Sequence, residues 1–174
     1  LLNKPIGILS SCRDGHGRET VLSLIPADLR IGLNPIGRLN KESRCAILLT
    51  NNRDLTLRLT HPKCSHTKIY LAWISGHPSK SILDAWREGI MLENKITLPA
   101  NIEVINRKNQ KTLLKIILIE RRNRQILRMA SLFGHPAQDL ERMSISNIKL
   151  NDLKEWQWCE INCREWIPII KENM

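Results

Sequence analysis

The feature that most constrains this chain is a short apolar run, Ala46-Ile47-Leu48-Leu49, together with what flanks it. Ahead of it lies a turn-marked polar segment, Pro35-Ile36-Gly37-Arg38-Leu39-Asn40-Lys41-Glu42-Ser43-Arg44-Cys45, and behind it Thr50-Asn51-Asn52. A short continuous apolar run closed by turn residues predicts a buried strand. A polar loop at the end of such a strand is a natural place for chemistry, because the strand fixes the loop while the loop reaches solvent.

The rest of the sequence supplies elements around that strand. Leu1 to Ser11 reads as a strand bent at Lys4-Pro5-Ile6-Gly7, and Arg13 to Arg18 as a flexible polar loop. Gly15 and Gly17 lack the third glycine of a dinucleotide fingerprint. Thr20 to Pro26 predicts a short helix ending before the proline, and Asn52 to Thr60 another, closing at His61-Pro62. His66 to Ile74 alternates and is rich in strand formers. Ser79 caps a helical stripe of Ile82, Leu83, Trp86 and Ile90, with Trp86 read as core. Ile102–Ile105 and Leu113–Ile119 predict paired strands joined by a basic turn, Asn106 to Lys111, which is either a solvated tip or a phosphate contact. Gln125 leads into a helix through Ala130, Leu132 and Phe133 that stops at Gly134-His135-Pro136. In the tail, strand alternation puts Trp156 and Trp158 on one face, either as stacking groups for bases or as packing.

Several of these stretches resemble the bacterial ribosomal-RNA pseudouridine synthases that modify single uridines. The match consists of Leu2-Asn3-Lys4-Pro5-x-Gly7, the loop and strand with Gly37, Arg38, Leu39, Leu48, Leu49, Thr50 and Asn51, the pair Lys68-x-Tyr70, and the segment Arg122-Asn123-Arg124-Gln125 with Arg128 and Met129. The motifs occur in the family's order from Leu2 to about Trp166. The resemblance implies an α+β pseudouridine synthase fold over residues 1–174, with a mixed, mostly antiparallel sheet flanked by helices and a basic RNA cleft. It implies isomerisation of uridine to pseudouridine in ribosomal RNA, with no cofactor and no metal, on a nucleotide flipped out of its stack. Tyr70 is then the residue that packs the base; an ordinary half-buried strand tyrosine is the alternative. Lys4, Arg38, Arg44, Lys68, Arg122, Arg124 and Arg128 are the expected RNA contacts, and Lys4, Asn40, Tyr70 and Leu127 are expected to share one cleft.

Two departures bear on activity. The family's catalytic aspartate falls on Asn40, and the arginine that pairs with it falls on Leu127; Cys45, Arg53 and Arg121 stand where the family has glycines. An amide is neutral and weakly nucleophilic, so it gives no full charge to an oxocarbenium-like centre. The expectation is an RNA-binding member of the family that is catalytically impaired. The alternatives are an active synthase using another carboxylate, or a decayed synthase with weakened RNA binding.

Composition supports a polyanionic partner, since 27 Lys and Arg against 17 Asp and Glu leave a formal net charge of +10. Five cysteines without a C-x-x-C pair read as free thiols in a reducing compartment, and no apolar run approaches the roughly 18 residues of a membrane span. A cytoplasmic monomer bound to ribosomal RNA is expected. The chain opens at Leu1-Leu2-Asn3 without Met, which reads as a trimmed start, and the small N-terminal RNA-binding domain common in this branch is not expected within it.

Overall fold

A computed structural model describes residues 1–61, 64, 66–120 and 122–171. Its elements in chain order are β1 (Leu2–Lys4), β2 (Asn34–Ile36), β3 (Arg44–Thr50), α1 (Arg53–Thr60), β4 (Lys68–Ser75), α2 (Lys80–Glu88), β5 (Met91–Leu92), β6 (Lys95–Ile96), β7 (Asn101–Lys108), β8 (Lys111–Leu118), α3 (Gln125–Leu132), β9 (Ala137–Ile145), β10 (Ile148–Lys149) and α4 (Cys163–Lys171). Short 3-10 turns at Val21–Leu24 and Ala27–Leu29 precede β2. The fold is α+β with mostly antiparallel strands, and the chain divides into two compact units, Leu1–Cys64 with Met143–Met174, and Ser65–Arg142.

In the first unit, β3 is the strand formed by the apolar run. Ile47 packs with Leu2, Ile8, Val21 and Cys45, whereas its neighbour Leu48 packs with Ile36, Leu55, Leu59, Ile145, Ile148 and Ile169. Successive strand residues point to opposite faces, so burial on both faces is why the run is continuous rather than alternating. β1 pairs antiparallel with one half of β3 (Leu2↔Ile47, Lys4↔Cys45) and β2 with the other (Asn34↔Thr50, Ile36↔Leu48). Asn52 caps α1, its Oδ1 accepting from Leu55 N at 3.0 Å, and α4 packs on α1. The polar loop read as flexible is held by one side chain. Asp14 accepts from the Arg18 guanidinium, Arg18 N and His16 N, and the guanidinium above all keeps its carboxyl well below the usual carboxylate range. The two tail tryptophans do not share a strand face. Trp156 is 54% exposed with φ at 72°, while Trp158 bridges Leu2 and packs beside the Leu2–Ile47 cluster.

In the second unit the strand order is β9, β4, β8, β7. β4 and β8 pair along their whole length from Lys68↔Leu118 to Ser75↔Lys111, and β7 pairs with β8 through a bulge between Val104 and Asn106. The hairpin tip is shorter than the sequence suggests, because pairing extends to Lys108↔Lys111. Ser79 caps α2 as expected, accepting from Ile82 N at 3.3 Å. Trp86 on that helix is 1% exposed and lies 6.1 Å from the Phe133 ring, which makes it core. Gly89, at φ 108°, ends the helix where an added Cβ would meet Thr97 O at 2.4 Å, so no other residue fits that approach. Truncating a buried Trp costs roughly 3–5 kcal/mol. Trp86→Ala should therefore lower unfolding free energy by that order in a denaturant titration; a loss below about 1 kcal/mol would mean that Trp86 is not a core anchor.

Candidate active site

The loop carrying Asn40 is built from the inside outward. Gly37 has φ at 76°, a left-handed turn that a side chain would strain, which explains a glycine ahead of Arg38-Leu39. Ser10 Oγ then clasps Leu39, accepting from its N at 3.3 Å and donating to its O at 3.2 Å. Lys41 O accepts from Gly7 N at 2.9 Å, and Asn40 O accepts from Ser43 N at 3.2 Å to close the turn into β3. Asn40 is half-buried, and its side-chain amide has no hydrogen-bond partner among the described residues. Arg38 beside it is exposed.

Lys4 lies beneath this loop and is fully buried. Its ammonium donates to Pro5 O at 2.7 Å, Ile8 O at 3.0 Å and Lys41 O at 3.5 Å. The expectation that Lys4 contacts RNA is corrected by that burial, since an ammonium surrounded by three carbonyls has no surface to offer a phosphate. Burial pushes its pKa below the ordinary 10.5, with Cys45, Glu42 and Glu155 acting in the opposite direction. Cys45 is also not the strained position that its family glycine suggests. It is fully buried in regular β3, paired with Lys4, and lies outside the residues with positive φ. Arg53 is the first residue of a well-capped α1 and needs no glycine either, while Arg121 lies outside the described residues.

In the second unit, Tyr70 sits mid-β4 opposite Ile116, 9% exposed, its phenol without a hydrogen bond among the described residues. Lys68 on the same strand face is 5% exposed and donates to His66 O at 2.6 Å. Leu127 is a half-buried residue in the first turn of α3. Arg124 precedes the helix in the left-handed conformation, φ 48°, with an exposed side chain.

The arginines assigned to RNA are mostly engaged within the protein. Arg122 pairs with Glu120 at 2.9 Å and donates to Leu92 O, Lys95 O and Ile96 O, pinning the β5–β6 hairpin to the segment ahead of α3. Glu120 completes the clamp by accepting from Leu98 N and Gln125 Nε2. Arg128 on α3 pairs with Glu93 at the hairpin tip at 2.5 Å. In the first unit Arg44 pairs with Glu155 at 3.1 Å. Only Arg38 and Arg124 of the expected set are exposed. Glu120, Glu93 and the hairpin carbonyls are parts of this arrangement that sequence spacing gave no sign of. Among the described residues no group of His, Cys, Asp or Glu is arranged to hold a metal ion, and no helix is long and apolar enough to cross a membrane.

The model of the RNA pseudouridylate synthase family matches residues 1–132. The chain belongs to that family. Its similarity to "Ribosomal large subunit pseudouridine synthase E" of Vibrio parahaemolyticus is 37% identity over 175 residues, covering 92% of this chain and 72% of the relative. An "Uncharacterized RNA pseudouridine synthase" of Aquifex aeolicus is 34% identical over 172 residues, covering 98% of this chain and 69% of the relative. A solved structure described as a pseudouridylate synthase superposes with a TM-score of 0.87 at 26% identity, covering 97% of this chain and 71% of that one. The pseudouridine synthase fold expected from the motifs is thus the one observed.

The buried ammonium gives the loop a pH signature. Because Lys4 has a lowered pKa only when folded, the unfolded chain binds the extra proton between that value and 10.5. Its desolvation penalty is full below the folded pKa and is relieved as pH rises through it, so this group makes stability rise with pH in that window. Denaturant titrations of the native chain and Lys4→Met across that alkaline window should diverge in slope, the native chain gaining relative to the variant. Parallel curves would show that Lys4 is not desolvated in the folded state.

Proposed function

We propose that this protein binds ribosomal RNA on a pseudouridine synthase scaffold and does not isomerise uridine at the rate of an intact member of the family. The observation that carries the reading is Asn40, an amide held on a loop whose supports at Lys4, Gly7, Ser10 and Ser43 are all in place. The relatives named for ribosomal RNA modification support the substrate class, and the net charge of +10 is consistent with it.

The chemistry asks for an ionised carboxylate at position 40, an aromatic ring at position 70 against the base, and a cation at position 127 to keep the carboxylate charged. Tyr70 meets its part of this. Asn40 and Leu127 do not, because an amide carries no negative charge to C1′ of the ribose and an isobutyl group donates no hydrogen bond. Losing the two together differs from losing one. In the family pattern an arginine keeps the carboxylate ionised, so a carboxylate restored at position 40 alone would lack that counter-charge.

Tritium release from 5-tritiated uridine in ribosomal RNA tests this across four chains. The unaltered protein and Leu127→Arg should release nothing above background, and Asn40→Asp should release little. Asn40→Asp with Leu127→Arg should exceed the sum of the singles, on the order of 10²-fold over Asn40→Asp, as for groups that act as a unit. Clear turnover by the unaltered chain would overturn the reading and direct attention to Glu42, the exposed carboxylate two residues along the same loop.

A further inference from the structure

Lys4, Lys68, Arg44, Arg122 and Arg128 are all bonded internally, and the β7–β8 hairpin concentrates further charge that a polyanion can meet. Residues directly opposite in paired strands project to the same face. The register Leu71↔Lys115, Trp73↔Leu113 and Ser75↔Lys111 on one side of β8, with Glu103↔Lys115, Asn106↔Leu113 and Lys108↔Lys111 on the other, therefore puts Lys108, Lys111, Lys115 and Trp73 on one sheet face. Tyr70, Ala72 and Ile74 alternate to the opposite, buried face. The bulge at Val104/Asn106 is what brings Lys108 opposite Lys111.

That arrangement is unfavourable for a free hairpin. Like charges directly opposite one another destabilise a strand pair, and here they flank its turn. Lys111 is turned over the Trp73 ring, Nζ 4.8 Å from its centroid, and Lys115 has a loose pair with exposed Glu103 at 3.5 Å. Lys108 and the neighbouring Arg107 are exposed and have no ion pair among the described residues. The acidic residues of β9, Asp139 and Glu141, lie two strands from β8.

We propose that this lysine face of the β7–β8 hairpin is a second RNA-binding surface, on the side of the sheet away from Tyr70, contacting phosphates of RNA outside the target nucleotide. It rests on the RNA reading above and extends it to a surface that the family motifs do not include. Charge complementarity selects the partner: three lysines along one face with one carboxylate match a phosphate backbone, and an RNA contact of this kind reads shape and charge rather than sequence.

The test compares two triple variants of equal charge by fluorescence anisotropy with a labelled ribosomal RNA fragment over a range of salt. Lys108→Gln with Lys111→Gln and Lys115→Gln should lower affinity at least about tenfold and reduce the log K versus log salt slope by about 2–3, the loss of three phosphate contacts. Lys80→Gln with Lys149→Gln and Lys154→Gln removes the same charge elsewhere and should change the slope by less than about 1. Lys108→Gln alone, at an exposed tip where folding is not at issue, should reduce it by about 0.7–0.9. Equal effects of the two triples would reduce the hairpin to general net charge and overturn the assignment. So would unchanged RNA binding with lost binding to polyglutamate, which would make the partner an acidic protein. Absence of any RNA binding by the unaltered chain would instead sink the RNA reading itself, and this surface with it.

Discussion

The arrangement on which the first unit depends is a buried ammonium ion. Lys4 spends its charge on the carbonyls of Pro5, Ile8 and Lys41, and so ties the turn after β1 to the loop before β3. Desolvating such a group is costly, and hydrogen bonds from a charged donor offset that at roughly 1.5–3 kcal/mol each. All of those bonds go to backbone oxygens, and so do the supports from Gly7 and Ser43. The loop's shape is therefore indifferent to which side chain stands at position 40. A carboxylate and an amide can be exchanged there without disturbing these supports.

The same economy governs the arginines. A positive net charge and an arginine-rich motif invite an RNA reading of every cation, yet Arg122 is used to hold a hairpin through three carbonyls and a carboxylate. Arg128 and Arg44 each have a carboxylate of their own. Partly exposed pairs of this kind are worth up to about 1 kcal/mol and can be exchanged for a phosphate, whereas the Glu120–Arg122 clamp cannot be opened without releasing β5 and β6. Net charge thus points to the class of partner, and burial decides which cations are available to it.

What the sequence disclosed, it disclosed through periodicity and punctuation. β3, β4, the helix from Asn52 to Thr60, the α2 cap at Ser79 and the α3 stop at Gly134 follow from apolar spacing and cap chemistry, and the family motifs led to the fold. What it hid is what periodicity does not encode. The β5–β6 hairpin turns on Glu93 and Asn94 at positive φ without a glycine, and α4 carries Pro168 inside it. Lys4 looks like a surface cation until its burial is known. Cys45 looks strained by analogy with a glycine, although strand pairing with Lys4 gives it an ordinary backbone. Trp156 and Trp158 mislead because strand alternation does not hold in a segment where Trp156 takes a positive φ.

The central claim is that the loop before β3 keeps its shape whichever side chain stands at position 40, so that an amide there removes charge and nothing else. Its most direct measurement is amide hydrogen exchange at Gly7, Leu39 and Ser43 in the unaltered chain and in Asn40→Asp. The account predicts equal protection of the three amides in both. A change of protection in the variant would contradict it, because the side chain at position 40 would then be part of the loop's support.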